Sequence, residues 1–146
     1  MTRRGFSLVE MLVAILLLGL VLGLLIFNGR KGMANREQDR AAKEVESALR
    51  LTRELAVNRG GATLTLVSGD GTNEGRYTVV AGGNTEKAGT LHRHIRLTSS
   101  PGMVLAFQSN GSLAADYTIT VASYATNMTT VLTVRRVSGA VTSSRQ

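Results

Sequence analysis

Hydrophobic and polar residues follow three different patterns along this chain. Residues 6–27 form an almost unbroken apolar run, residues 34–59 carry apolar side chains at spacings of three and four, and the region after Gly61 alternates between apolar and polar positions. The first two patterns are typical of helices and the third is typical of strands. The sequence therefore predicts an α+β fold, in which a long N-terminal helix, first transmembrane and then amphipathic, packs on a C-terminal antiparallel β-sheet.

The apolar run from Phe6 to Phe27 has the length expected of a membrane-spanning helix. At 1.5 Å per residue it would extend roughly 33 Å, which matches the hydrocarbon core of a bilayer. Arg3 and Arg4 precede the run and predict a cytoplasmic N-terminus, with the rest of the chain beyond a membrane that it crosses once. A secretory signal peptide is disfavoured, because the run is longer and does not end in small residues.

Glu10 is the only charged residue between Phe6 and Phe27. An ionised carboxylate within a bilayer costs about 2.5 to 3.5 kcal/mol even on lenient insertion scales, and such residues are usually functional. A simple membrane anchor has no use for this charge. Glu10 is therefore a candidate functional residue.

The second pattern predicts an amphipathic helix over residues 34–59. Its opposite face carries two acid–base pairs four residues apart, Asp39–Lys43 and Glu46–Arg50, in the order that favours ion pairing. The Gly60–Gly61 pair predicts the end of the helix. The apolar face consists of Ala41, Val45, Ala48, Leu49, Thr52, Leu55 and Ala56.

The third pattern predicts short strands separated by glycine- and asparagine-rich stretches. Asn110–Gly111 is a strong signal for a tight turn between two of them. With three Phe and three Tyr in the chain, the core would depend on Val, Leu and Ile. The predicted strands are residues 62–67, 76–81, 91–97, 103–108, 116–123 and 130–137.

Few residues could support catalysis or bind a metal. The chain has no Cys, which excludes disulfides, thiolate catalysis and thiolate zinc sites. His92 and His94 would share one face of a predicted strand, but no nearby acid completes a metal site, and Arg93 and Arg96 would repel a cation. Nucleophile-elbow and phosphate-loop motifs are absent. The stretch Gly69–Glu74 is interpreted as a hairpin loop and not as a calcium loop. The sequence predicts a protein that is not an enzyme and has no cofactor.

The sequence Gly5-Phe6-Ser7-Leu8-Val9-Glu10 resembles the cleavage region of type IV prepilins. In that family a membrane peptidase cuts after the glycine, and the new N-terminal residue is methylated on its amine. The resemblance implies that residues 1–5 are a leader, that prepilin peptidase cuts between Gly5 and Phe6, and that Phe6 is methylated. It also implies that Glu10 acts in assembly, because its carboxylate would pair with the Phe6 amine of a neighbouring subunit and each charge would offset the desolvation of the other.

Three later segments resemble the GspH/FimT family of minor pseudopilins and minor type IV pilins. They are residues 48–60 at the end of the predicted helix, Leu105–Gly111, and the closing stretch Val131–Gly139. The resemblance implies a subunit of a type II secretion pseudopilus or a type IV pilus, anchored in the bacterial inner membrane with an extracytoplasmic head. Its partners would be other pilins or pseudopilins. Its parts would be the leader 1–5, an assembly helix 6–27, an amphipathic helix 28–60 and a β-rich head 61–146.

A DNA-binding minor pilin for natural transformation is an alternative. The net charge of +7 permits attraction to phosphates, but solubility is the favoured explanation of the basic surplus. The Gly-Arg-x-Arg motif of DNA-binding FimT-like pilins is not matched, because Gly139 is followed by Ala140 and Val141, and two of the candidate contacts, Arg135 and Arg136, would point to opposite faces of a strand. The candidate DNA contacts are Arg93, Arg96, Arg135, Arg136 and Arg145.

A further alternative is an unprocessed protein with a single membrane span. Such an anchor would retain the leader Met1–Gly5. The two interpretations therefore differ in the N-terminus of the mature chain.

Overall fold

The computed structural model describes residues 8–145, with the backbone alone for residues 24–31. In the described part of the chain, one long helix is followed by strands. The elements are α1 (Leu8–Arg59), β1 (Ala62–Val67), β2 (Gly75–Ala81), β3 (Asn84–Leu91), β4 (Ile95–Ser100), β5 (Val104–Phe107), β6 (Tyr117–Ser123), β7 (Thr129–Val134) and β8 (Val141–Arg145). The chain separates into two compact units, with the boundary between Met33 and Ala34.

The first unit contributes the beginning of α1. The side chains from Leu8 to Gly23 are exposed, although most of them are apolar. Part of the predicted membrane run, including Phe6, lies outside the described residues. Among those that are described, no helix combines the length and the apolar character needed to cross a membrane.

In the second unit, α1 buries the face that the sequence predicts. All seven residues of that face are fully buried except Leu55, which is half-buried against the core. The helix ends at Arg59, as predicted. The N–H groups of Gly60 and Gly61 both donate to the carbonyl of Ala56, at 3.0 and 2.9 Å, and both glycines have positive φ. Glycine adopts this conformation without a Cβ clash, so it terminates the helix at low cost.

One of the two predicted ion pairs on α1 forms, and the other prediction is wrong. Arg50 contacts Glu46 at 2.7 Å, but Asp39 is contacted by Arg145 at 3.4 Å and not by Lys43. Arg145 opposes the buried Thr130 in the ladder between β7 and β8, so its side chain extends from the sheet face that packs on the helix. A long-range partner therefore takes the place of the local one.

The strands form two four-stranded antiparallel sheets. The strand order is β3-β2-β1-β5 in the first sheet and β4-β6-β7-β8 in the second. All pairings are antiparallel, as predicted, but the strands divide between two sheets and do not form a single one. The turn at Asn110–Gly111 forms, but it follows β5 and leads towards β6 in the other sheet, so it does not close a hairpin.

The predicted strand 91–97 is wrong. Leu91 ends β3, Ile95 begins β4, and residues 92–94 form the connection between them. Strand β3 was not predicted, because its sequence NTEKAGTL is mostly polar and most of its side chains are exposed or half-buried at a sheet edge. A signal was present in Gly82–Gly83, since both glycines have positive φ and join β2 to β3 in the two-residue turn that favours hairpins.

The predicted strand 130–137 is too long, and β8 was not predicted. Strand β7 ends at Val134, and Gly139 then forms a bulge opposite Arg135. The Gly139 N–H donates to the Arg135 carbonyl at 2.8 Å, and the Arg135 N–H donates to the Ala140 carbonyl at 3.0 Å. Gly139 has φ of 57°, as expected of a bulge that requires glycine.

One hydrophobic core lies between α1 and the inner faces of both sheets. The helix contributes Val45 and Leu49, both fully buried. Burying one such side chain contributes about 1.5 to 3 kcal/mol. The fully buried strand residues include Leu64, Val79, Ile95, Leu105, Ile119, Val121, Leu132 and Val134.

The core contains one buried amide. Gln38 is 2% exposed; its Nε2 donates to the Val121 carbonyl at 3.2 Å, and its Oε1 accepts from the Thr126 hydroxyl at 3.3 Å. These bonds offset the cost of burying the amide and connect the helix to the second sheet.

Candidate assembly surface

The described side chains of the first unit present an apolar surface with one carboxylate. Glu10 lies in the first turn of α1, where the helix dipole favours a negative charge. Gly5 and Phe6 lie outside the described residues, so their cleavage and methylation stay predictions. The exposed large apolar side chains are Leu8, Val9, Met11, Leu12, Val13, Ile15, Leu16, Leu17, Leu18, Leu20, Val21 and Leu22, with between 50% and 78% of each exposed.

The two histidines do not share a strand face. His92 and His94 lie in the connection between β3 and β4, with ring centroids 5.1 Å apart. The His92 Nδ1 is 3.5 Å from Glu37 and also 3.4 Å from the His94 amide. In the described part of the chain, no group of three or more His, Asp or Glu side chains is arranged to hold a metal ion.

The stretch Gly69–Glu74 connects β1 and β2, which confirms that it is a hairpin loop. Asp70 accepts hydrogen bonds from the amides of Thr72 and Asn73, at 2.8 and 2.6 Å, and from the Asn73 side chain at 2.8 Å. The Asn73 amide, followed by its side chain and the Thr72 amide, lowers the pKa of the Asp70 carboxyl below its ordinary value. The carboxylate is thus used to hold its own loop.

The five candidate DNA-contacting arginines do not form one surface. Arg93 lies in the connection before β4, and Arg96 pairs with Ala122 near the end of β6. Arg135 follows β7 beyond the pair Tyr117–Val134, at the opposite end of β6. The length of β6 separates the two ends by roughly 20 Å.

The predicted placement of Arg135 and Arg136 within a strand is wrong, since both follow the end of β7. Arg135 contacts Asp116 at 3.7 Å, and Arg145 contacts Asp39. Two of the five candidate arginines therefore face a carboxylate. The structure divides the predicted DNA contacts between the two ends of the second sheet, with Arg135 and Arg136 at one end and Arg93, Arg96 and Arg145 at the other.

Sequence reasoning missed a junction at the end of α1, where two glycine turns pack against the helix. A Cβ on Gly111 would lie 3.1 Å from Val57, and a Cβ on Gly139 would lie 2.5 Å from the Gly111 carbonyl and 2.9 Å from Arg53. The Leu113 N–H also donates to the Arg136 carbonyl at 2.9 Å, which connects the two turns.

This junction brings together the three segments that carry the GspH/FimT resemblance. They are the helix end, the turn after β5 and the turn after β7. Each of the two turns contains a glycine with positive φ, Gly111 at 75° and Gly139 at 57°. The signal for this contact was the pair of dipeptides Asn110–Gly111 and Ser138–Gly139, but local sequence does not reveal that two turns meet.

Comparison with known proteins agrees with this architecture. Residues 1–26 match the family model of the prokaryotic N-terminal methylation motif, and residues 41–141 match that of the type II transport protein GspH. The crystal structure of the type IV minor pilin FimU from Pseudomonas aeruginosa is similar in fold, with 17% sequence identity and a TM-score of 0.59 over 73% of this chain and 91% of that chain. No curated protein matches the chain.

The N-terminal motif and the helix-on-sheet fold define a prepilin-type protein. The match over residues 41–141 is more specific, and the chain belongs to the GspH family. The predicted GspH/FimT resemblance is thereby confirmed, and with it the broad class of minor pilin or pseudopilin.

Proposed function

We propose that this protein is cut after Gly5, methylated at Phe6, held in the inner membrane, and built into a filament through the portion of α1 that belongs to the first unit. The observation that carries the proposal is the contrast between the two units. The second unit closes its own core, whereas the described apolar side chains of the first unit are at least half exposed. Apolar side chains exposed to this extent favour contact with lipid or with the helices of other subunits.

The number of exposed apolar side chains supports their burial against lipid or neighbouring helices. Leaving one large aliphatic side chain in water forfeits about 1.5 to 3 kcal/mol relative to burial. Twelve such side chains occur between Leu8 and Leu22. Monomeric soluble proteins rarely expose a contiguous apolar surface of this extent, and larger ones mark membrane or protein contacts.

Glu10 would determine how neighbouring helices align. Cleavage after Gly5 creates a free amine on Phe6, and a buried ammonium and a buried carboxylate each carry a desolvation cost of several kcal/mol. Pairing Glu10 of one subunit with the Phe6 amine of the next offsets both costs. Because removal of one partner leaves the other charge buried alone, the pair would favour one register between subunits.

The first test is the N-terminus of the protein recovered from its own membranes. Intact-mass measurement and N-terminal sequencing are expected to give a chain that starts at methylated Phe6. A Gly5→Val variant should retain the leader and serves as the uncleaved control. A wild-type chain that still carries Met1–Gly5, in cells with active prepilin peptidase, would support the unprocessed anchor instead.

The second test separates membrane insertion from assembly. Glu10→Ala and Glu10→Gln should leave the protein in the membrane fraction but lower its incorporation into sheared filaments at least tenfold, whereas Glu10→Asp should retain part of it. Glu54→Gln is the matched control, because Glu54 is an exposed acid on the portion of α1 that belongs to the second unit. Normal incorporation of Glu10→Gln would contradict the role in register.

Of the two machines, we propose the type II secretion pseudopilus ahead of the type IV pilus. The matching family model is described as a type II transport protein, whereas the likeness to the minor pilin FimU is one of fold alone. Deletion of the gene should therefore lower secretion of type II substrates and leave surface piliation normal. Loss of piliation with intact secretion would assign the protein to the pilus.

A further inference from the structure

The four sheet edges of the head differ in how well they are protected against pairing with another strand. Three carry features that hinder the addition of another strand. Edge β3 carries Glu86 and Lys87 and has a register irregularity opposite Val79–Val80. Charges and bulges at an edge are devices that prevent strand addition.

The next two edges are covered by other parts of the chain. On β4, the Leu97 N–H donates to the Ser68 hydroxyl at 2.9 Å, and the Arg93 carbonyl beside the start of the strand accepts from the Gly71 N–H at 3.1 Å. On β5, the Val104 carbonyl accepts from the hydroxyl of a tyrosine on β6, at 3.3 Å. The outward backbone groups of both strands are thus partly used.

Edge β8 is less protected, because its one charged residue, Arg145, lies at the end of the strand and contacts Asp39. Its interior residues Thr142, Ser143 and Ser144 are small, uncharged and exposed. Outside its ladder with β7, no described residue hydrogen-bonds to the backbone of Val141–Arg145. The strand is also free of proline and of a bulge within its length.

The register shows which groups of β8 point outward. The Arg135 N–H donates to the Ala140 carbonyl, so the backbone groups of Arg135 point towards β8. In an antiparallel ladder hydrogen-bonded pairs recur at every second position, so the next such pairs are 133–142 and 131–144. The N–H and C=O groups of Val141, Ser143 and Arg145 therefore point away from β7. These six groups form the outer edge of β8.

This outer edge is self-complementary. If a second β8 lies antiparallel with Ser143 opposite its counterpart, Val141 lies opposite Arg145 of the second copy, and all six outward groups of each strand find partners. The two Arg145 side chains then lie at opposite ends of the pair, so no like charges oppose each other. The small side chains between them present no steric obstacle.

We propose that the head of this protein pairs with a second copy through the outer edge of β8, centred on Ser143. Such a pair has two-fold symmetry and closes on itself, whereas a filament grows by a repeated head-to-tail contact. The dimer is therefore a state of the subunit outside the filament. The inference does not depend on the proposed function, because it uses the head alone.

The chain lacks cysteine, so single cysteines can test the register in the full-length protein in its own membranes. Two Ser143→Cys copies would have their Cα atoms about 5.5 Å apart, within disulfide range. Two Thr142→Cys residues, one from each copy, would lie diagonally across the pair, and so would two Ser144→Cys residues. Their Cα atoms would be about 7 to 8 Å apart, which is too far for a disulfide to form easily. Mild oxidation should therefore give about tenfold more covalent homodimer with Ser143→Cys than with either neighbour.

A second pair of variants tests the backbone contact. In the Ser143→Cys background, Arg145→Pro removes an outward N–H, whereas Arg145→Ala removes the same charge and keeps the N–H. Only Arg145→Pro should reduce the homodimer several-fold, with protease resistance of the head unchanged in both. Equal trapping at residues 142, 143 and 144, no trapping at Ser143→Cys, or trapping to a different protein would each overturn the proposal.

Discussion

The two described parts of α1, residues 8–23 and 34–59, are both rich in apolar residues, but the side chains of the two parts differ in exposure. In residues 34–59, Val45 and Leu49 are fully buried beneath the two sheets. In residues 8–23, Leu12 and Leu16 are 58% and 65% exposed. Within one helix, the same residue type is therefore a core residue in one part and a surface residue in the other.

The residue types also differ in a way that matches their surroundings. The buried face of the second part relies on alanine, including Ala41, Ala48 and Ala56, because small side chains let the sheets approach the helix closely. The first part carries Leu, Val and Ile around its whole circumference, which is typical of a helix surrounded by lipid or by other helices. The difference supports the proposal that the first part contacts lipid or other subunits.

The sharpest test of this contrast compares two leucines of α1. Leu49→Ala should destabilise the head by about 2 to 5 kcal/mol, because it opens a cavity in a closed core. Leu17→Ala, on the exposed first part, should leave the free energy of unfolding within about 0.5 kcal/mol of wild type. Urea denaturation of the detergent-solubilised chain, followed by the near-UV signal of its tyrosines, measures both. Similar losses for the two variants would remove the distinction between the units.

A second test addresses the junction at the end of the helix. Gly139→Ala should cost about 1 to 3 kcal/mol, because residue 139 has positive φ and its Cβ would meet the Gly111 carbonyl at 2.5 Å. Gly102→Ala is the matched control, since no atom lies within 4 Å of its added Cβ. Thermal unfolding of the two variants should give a clearly lower midpoint for Gly139→Ala only; equal midpoints would refute the packing argument.

The buried amide should have a smaller effect. Gln38→Ala removes the hydrogen bonds to the Val121 carbonyl and the Thr126 hydroxyl, with an expected loss of about 1 to 2 kcal/mol. Gln108→Ala, at an exposed position after β5, should be close to neutral. In the Gln38→Ala variant, amide hydrogens of β6 near Val121 should exchange faster than in the wild type. Unchanged exchange there would contradict a stabilising contact between Gln38 and β6.

The smallest effect is expected at Asp70, which is fully exposed. Its pKa is lower in the folded chain than the ordinary 3.8, so its contribution to stability is present above the unfolded pKa and is lost as the pH falls through the folded pKa. Carboxyl titration by NMR should give a midpoint below 3.8. Asp70→Asn, which keeps the acceptor oxygen, should remove this pH dependence. A midpoint at or above the ordinary value would show that the loop bonds are not maintained in solution.

Sequence reasoning was most successful where burial produces a local period. The helix face from Ala41 to Ala56 and the strands β1 and β6 have one side in the core, so their apolar spacing was visible. Strands β3 and β8 lie at sheet edges and bury few side chains, so no alternation marked them. The predicted strand 91–97 is wrong because Leu91 ends β3 and Ile95 begins β4. The prediction joined these apolar residues into one strand across the turn between them.

The sequence by itself determined the class of this protein and its division into an apolar helix and a β-rich head. The N-terminal methylation motif within residues 1–26 and the periodicity of α1 are local properties, and local properties can be read from neighbouring residues. Only the tertiary structure decided that Asp39 meets Arg145, that the turns of Gly111 and Gly139 share one junction, and that the candidate arginines are separated. These contacts depend on strand order and register, which are set by packing between segments far apart in the chain.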